Sequence, residues 1–95
     1  MIIGVMTANL HLHGIGSLKE KRSIVKSVIG RIQSRFNVSI SEVEHNDSKL
    51  IATIGVAVVG NDNSFIESQL EAVSTFMRND GRFYVGTIER ETFGV

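Results

Sequence analysis

Three histidines, His11, His13 and His45, are the side chains with the widest chemical reach in this sequence. His11 and His13 alternate, so a strand carrying them shows both imidazoles on one face, and His45 with Asp47 could complete a nitrogen and oxygen donor set of the kind zinc accepts. Paired histidines at a strand end are commonplace, which makes these three weak candidates for a metal or small-molecule sensor, and no metal is expected. A second pattern is electrostatic. Six of the ten basic residues, Lys19, Lys21, Arg22, Lys26, Arg31 and Arg35, fall between positions 19 and 35, where Glu20 is the only acid. Such a run on a helix is either a solvated face or a surface that meets phosphates. On the phosphate reading Lys19, Arg22 and Lys26 make the contacts and Lys21 and Arg31 assist.

Gly14-Ile15-Gly16 before a helix has the start of a dinucleotide-binding fingerprint, but Lys19 stands at the third glycine position, and a plain tight turn accounts for it better. No Gly-Lys-Ser or Gly-Lys-Thr phosphate loop occurs. The acids and serines show no spacing that nominates a nucleophile or a general acid and base pair. The expectation is therefore a chain that is not an enzyme and takes no cofactor.

The elements that position these groups follow from periodicity. From Ile2 to His13 the residues alternate, with Ile2, Gly4, Met6, Ala8, Leu10 and Leu12 on one side and Ile3, Val5, Thr7, Asn9, His11 and His13 on the other. Ser17 and Glu20 have capping-box spacing, and Leu18, Val25, Val28, Ile29, Ile32 and Phe36 form the apolar arc of the helix they start. Lys19, Arg22 and Lys26 flank that arc on one side, Arg31 and Arg35 on the other. The spacing predicts strands near 2–12, 37–45, 49–59 and 82–92 and helices near 17–36 and 64–78, with several N-cap candidates for the second helix in Asn61-Asp62-Asn63-Ser64, of which Ser64 with Glu67 has capping-box spacing. A β-α-β-β-α-β order is the split, ferredoxin-like α+β arrangement: a four-stranded antiparallel sheet of order 4-1-3-2 with both helices on one face. One domain spans residues 1–95, with no proline, linker or repeat to divide it.

Composition narrows the function classes. Hydrophobic residues are 42% and charged residues 21%, ordinary globular usage that argues against disorder. Without cysteine there is neither a disulfide framework nor a thiolate metal site. The first residues read as a strand and not as a signal peptide, and no apolar run spans a bilayer, so a cytoplasmic protein is expected. RNA-recognition motifs stack bases on aromatics of strands one and three, and these strands have none. Acylphosphatases are similar in size, but their phosphate loop holds an arginine where this one reads His13-Gly14-Ile15-Gly16-Ser17.

The segments Gly16-Ser17-Leu18-Lys19-Glu20-Lys21-Arg22-Ser23, Arg35-Phe36-Asn37-Val38-Ser39, Glu42-Val43-Glu44-His45 and Gly55-Val56-Ala57-Val58-Val59-Gly60-Asn61-Asp62 resemble the YlxP-like family of small bacterial proteins of unassigned function. The likeness covers the first two-thirds of the chain in order and spacing, and is looser from position 79. The family resemblance implies a ferredoxin-like domain whose gene lies among those for translation initiation and ribosome maturation, and it supplies no catalytic residues. Asp47 to Thr53 departs from the family pattern, which often has a tryptophan and a further basic residue there.

Together these readings lead to a non-enzymatic RNA- or ribosome-associated module that meets phosphates through the first helix. The alternative is a homodimeric interaction module. A sheet with both helices on one face leaves Ile3, Val5, Thr7, Ile51, Thr53 and Val59 on the other, an apolar area that a two-fold partner would cover.

Overall fold

The computed structural model describes all residues, Met1–Val95. The elements are β1 (Ile2–Leu12), α1 (Leu18–Arg35), β2 (Ser39–Glu44), β3 (Ile51–Gly60), α2 (Asn63–Arg78) and β4 (Phe83–Gly94). The strands form one antiparallel sheet of order β2-β3-β1-β4. This is the ferredoxin-like arrangement read from the sequence.

The alternation in β1 decides which face the helices cover. Met6, Ala8, Leu10 and Leu12 are buried, as are Ala52, Ile54, Val56 and Val58 of β3, and they meet Val25, Val28 and Ile32 of α1 and Ile66, Leu70, Val73 and Met77 of α2. Burying side chains of this size contributes about 1.5–3 kcal/mol each, which is why two helices and one sheet face hold together. α2 comes closest at Gly4, where a Cβ would run into Ile66 Cγ2.

Ser17 caps α1 as expected, accepting from the Glu20 amide at 3.1 Å, while Glu20 Oε2 accepts from the Gly16 amide. Among the cap candidates of α2 the structure selects one. Asp62, not Ser64, is the N-cap and accepts from the Ser64 amide at 3.3 Å. Asp62 already has the extended backbone a cap needs, and Glu67 is drawn away to Thr92 and Arg90 on β4. β2 starts at Ser39, two residues later than its pattern suggests, because Asn37 and Val38 turn the chain from α1 into the sheet.

Two bulges shape the uncovered face. In β2 the register shifts between Glu42 and Glu44, so Val43 is an extra residue that lies against Gly55, where a Cβ would sit 2.8 Å from Val43 Cγ1. Between β1 and β4 it shifts between Ala8 and Leu10, and Gly86 lies under His11, its virtual Cβ 2.6 Å from His11 Nε2.

Candidate functional site

Helix α1 sorts its cations by angle. At about 100° per residue, Lys19, Arg22 and Lys26 stay within one stripe, and all three are exposed. Arg31 is also exposed but lies on the other flank, where its charge acts on Asp80. Lys21 is not on the surface at all. It falls four residues before Val25 on the buried stripe, and its side chain is 0% exposed. Its stem runs with the core and its ammonium ends 2.6 Å from Glu42 Oε2, donating also to the carbonyls of His45 at 2.8 Å and Asn46 at 3.4 Å. Lys21 is thereby removed from the phosphate-contacting set: a buried, paired ammonium meets no ligand in solvent.

The start of α1 meets the β2–β3 hairpin at one end of the domain. Arg22 reaches Asp47 of the hairpin at 3.7 Å, an exposed pair of little energetic weight. Asp80 and Arg82 close the C-terminus of α2, with Arg82 Nε and one terminal nitrogen each 2.7 Å from the Asp80 carboxylate. That paired guanidinium holds the Asp80 carboxyl below the usual carboxylate range despite its burial, and Asp80 in turn raises Arg82.

The histidines are engaged separately. His11 stacks on Tyr84, ring centroids 4.6 Å apart and planes 11° from parallel. His13 is exposed beyond the strand. His45 adopts φ 64°, a left-handed backbone that a non-glycine residue holds only where its surroundings fix it. Lys21 binds its carbonyl, Ser48 donates a backbone hydrogen bond to the same oxygen, and its ring Nδ1 lies 2.9 Å from Thr53 Oγ1, which donates to Asn9 Oδ1 at 2.8 Å. No three histidine or carboxylate side chains converge as a metal-ligand set.

The sheet face opposite the helices is uncovered, and the strand registers lay it out in rows. Val59, Ile3 and Phe93 make an apolar row at one end. Next come Ser39, Ala57, Val5 and Glu91, then Ser41, Gly55, Thr7 and Glu89. The small residues Ala57 and Gly55 leave a trough of about 600 Å³ between them, walled by Val43 on one side and by Glu89 and Glu91 on the other. Of the expected interface residues, Thr7 and Val59 are exposed, Ile3, Val5 and Ile51 half-buried. Thr53 is the exception, 6% exposed and committed to Asn9 and His45, so it is withdrawn from that surface. Glu89 and Glu91 escaped the sequence reading, although their period-two spacing around Arg90 marks them as neighbours on one strand face.

Residues 3–90 match the model of a protein family of unknown function, DUF503. The chain belongs to this family. It is 36% identical over 76 residues to the uncharacterized protein YlxP of Bacillus subtilis (strain 168), a match covering 80% of this chain and 83% of that protein. Among solved structures it resembles SnoaB, a cofactor-independent oxygenase from Streptomyces nogalater, with a TM-score of 0.53 and 12% identity over 98% of this chain and 92% of that one. At that identity the likeness concerns the fold and carries over no residue role. It nevertheless corrects the expectation of a non-enzymatic chain. An oxygenase working without a cofactor occupies the same fold, so the lack of a recognisable catalytic or cofactor motif is no argument against catalysis here. No helix is long and apolar enough to cross a membrane.

Proposed function

We propose that this protein associates with RNA, free or within the ribosome, through helix α1. The observation that carries the reading is the exposed stripe of Lys19, Arg22 and Lys26, whose opposite helix face is buried in the core. Only Arg22 has an acidic partner, the exposed Asp47, so the stripe keeps its charge for an outside partner. The acids of α2 do not quench it: Glu67 and Glu71 are taken by Arg90. Three cations along one helical edge suit the spaced phosphates of a nucleic-acid backbone, contacting them without reading sequence. The test is a salt series in a filter-binding assay with structured RNA. About three phosphate contacts give a slope of log affinity against log salt of roughly −2 to −3; affinity that ignores salt contradicts the reading.

A second reading is self-association, and one feature favours it. The row Val59, Ile3 and Phe93 leaves Val59 58% and Phe93 40% exposed, an apolar strip at one end of the open face that a two-fold copy would cover. A dimer mass by light scattering at about 100 μM supports it, and a monomer mass at that concentration, well above the Kd of a stable dimer, contradicts it.

A further inference from the structure

We propose that the trough on the open sheet face is a binding site for a small organic cation, a protonated amine on an apolar body. Its floor and one wall are apolar: Val5, Ala57, Gly55 and Val43. Gly55 keeps it open, since any side chain there meets Val43. A volume of about 600 Å³ lies within the range of small-molecule sites.

The charge of the opposite wall selects the ligand. Glu89 and Glu91 are exposed, and neither takes part in any ion pair of the structure. Arg90 between them is turned to the other face, held by Glu71 at 3.0 Å and by Glu67. No strand residue of the open face is Lys or Arg, so the trough has two carboxylates and no counter-charge of its own. Arg90 also lines the trough, but its guanidinium is held at Glu67 and Glu71, and the other polar side chains there are the hydroxyls of Ser39, Ser41 and Thr7.

The neighbouring row holds a further polar side chain, the His45 ring. Thr53 gives its only proton to Asn9 Oδ1, so the 2.9 Å contact between Thr53 Oγ1 and His45 must use a proton on Nδ1. In the neutral ring that tautomer presents Nε2 as an acceptor. Thr53 is two residues from Gly55 along β3, about 7 Å, so its contact with His45 lies in the row next to the trough. The left-handed backbone of His45 is fixed by Lys21 and Ser48.

An anionic ligand would meet two carboxylates without relief. A second copy placed face to face over the trough would bring carboxylates into a dry contact with no cation, a costly burial. A protonated amine satisfies the wall, and its hydrocarbon covers Val5, Val43 and Ala57. This site is separate from the helix stripe and does not depend on RNA binding.

The experiment is amide NMR of the labelled full chain, titrated near pH 7 with phenethylamine, with 2-phenylethanol and phenylacetate as neutral and anionic counterparts. The expected result is shifts centred on Val5, Thr7, Gly55, Ala57, Glu89 and Glu91 with the amine, an affinity at least about tenfold weaker for the alcohol and for Glu89→Gln/Glu91→Gln, and no binding to Gly55→Val. Melting of the Gln variant like the parent separates lost binding from lost folding. Equal binding of phenylacetate, full affinity in the Gln variant, shifts confined to Glu67 and Glu71, or no shifts at about 10 mM amine would each overturn the proposal.

Discussion

The Lys21 ammonium lies 2.6 Å from Glu42 Oε2 with its side chain excluded from solvent, and this pair fastens α1 to β2. Glu42 Oε2 has no other polar partner, while the ammonium also binds the His45 and Asn46 carbonyls. One lysine therefore fixes the hairpin that carries His45. Breaking such a pair from one side leaves an uncompensated buried charge. Lys21→Met should cost about 3–5 kcal/mol, and Lys21→Met/Glu42→Leu should recover much of it. Thermal melts of the two variants check this; a Lys21→Met protein that melts like the parent contradicts the clamp.

Ile32 and Leu70 are both 0% exposed on the facing stripes of α1 and α2. Ile32→Ala and Leu70→Ala should each lose about 2–5 kcal/mol in denaturant titrations. Ser17→Ala should lose about 1 kcal/mol, the worth of a cap. An Ile32→Ala variant as stable as the parent would place the buried face of α1 elsewhere.

The Asp80–Arg82 pair gives stability an acid dependence. Because the folded carboxyl is held below its ordinary value of 3.8, the folded state prefers the ionised form. That contribution is fully present above the ordinary carboxylate pKa and is lost as pH falls toward and through the lowered one. Melting temperature measured from neutral pH into this acid range should fall less steeply for Asp80→Asn than for the parent. Parallel curves for the two proteins would show that the pair is not the source.

The neutral form of the His45 ring should be the Nδ1–H tautomer, because the Thr53 hydroxyl is already donating to Asn9. Nitrogen chemical shifts of the imidazole report this directly. Thr53→Val removes the acceptor for that proton and should shift the ring toward the Nε2–H form. An Nε2–H ring in the parent protein would contradict the network.

The legibility of this molecule in its sequence is uneven for physical reasons. Strand β1 declares both faces by strict alternation, and the stripe Ile66, Leu70, Val73 and Met77 declares the buried side of α2. Such patterns are local. Lys21 occupies a core angle on α1, but its charged end suggests solvent, and only the arrival of Glu42 from another element makes burial affordable. The bulges at Val43 and Gly86 are properties of paired strands, so no single-strand pattern announces them. The trough that the Val43 bulge helps to shape is equally hidden, because it depends on Gly55 lying opposite Thr7 and on Glu89 lying beyond it.

Sucrose-gradient sedimentation in a lysate of the native host decides whether the α1 stripe meets RNA. The tagged parent protein should travel with ribosomal or RNA-containing fractions at low salt and leave them as salt rises. Lys19→Glu/Arg22→Glu/Lys26→Glu should remain at the top of the gradient, with a melting temperature near that of the parent, since all three side chains are exposed. Glu67→Gln/Glu71→Gln should sediment like the parent. A triple variant that still travels with RNA, or a parent that never does, would rule out RNA association through the α1 stripe.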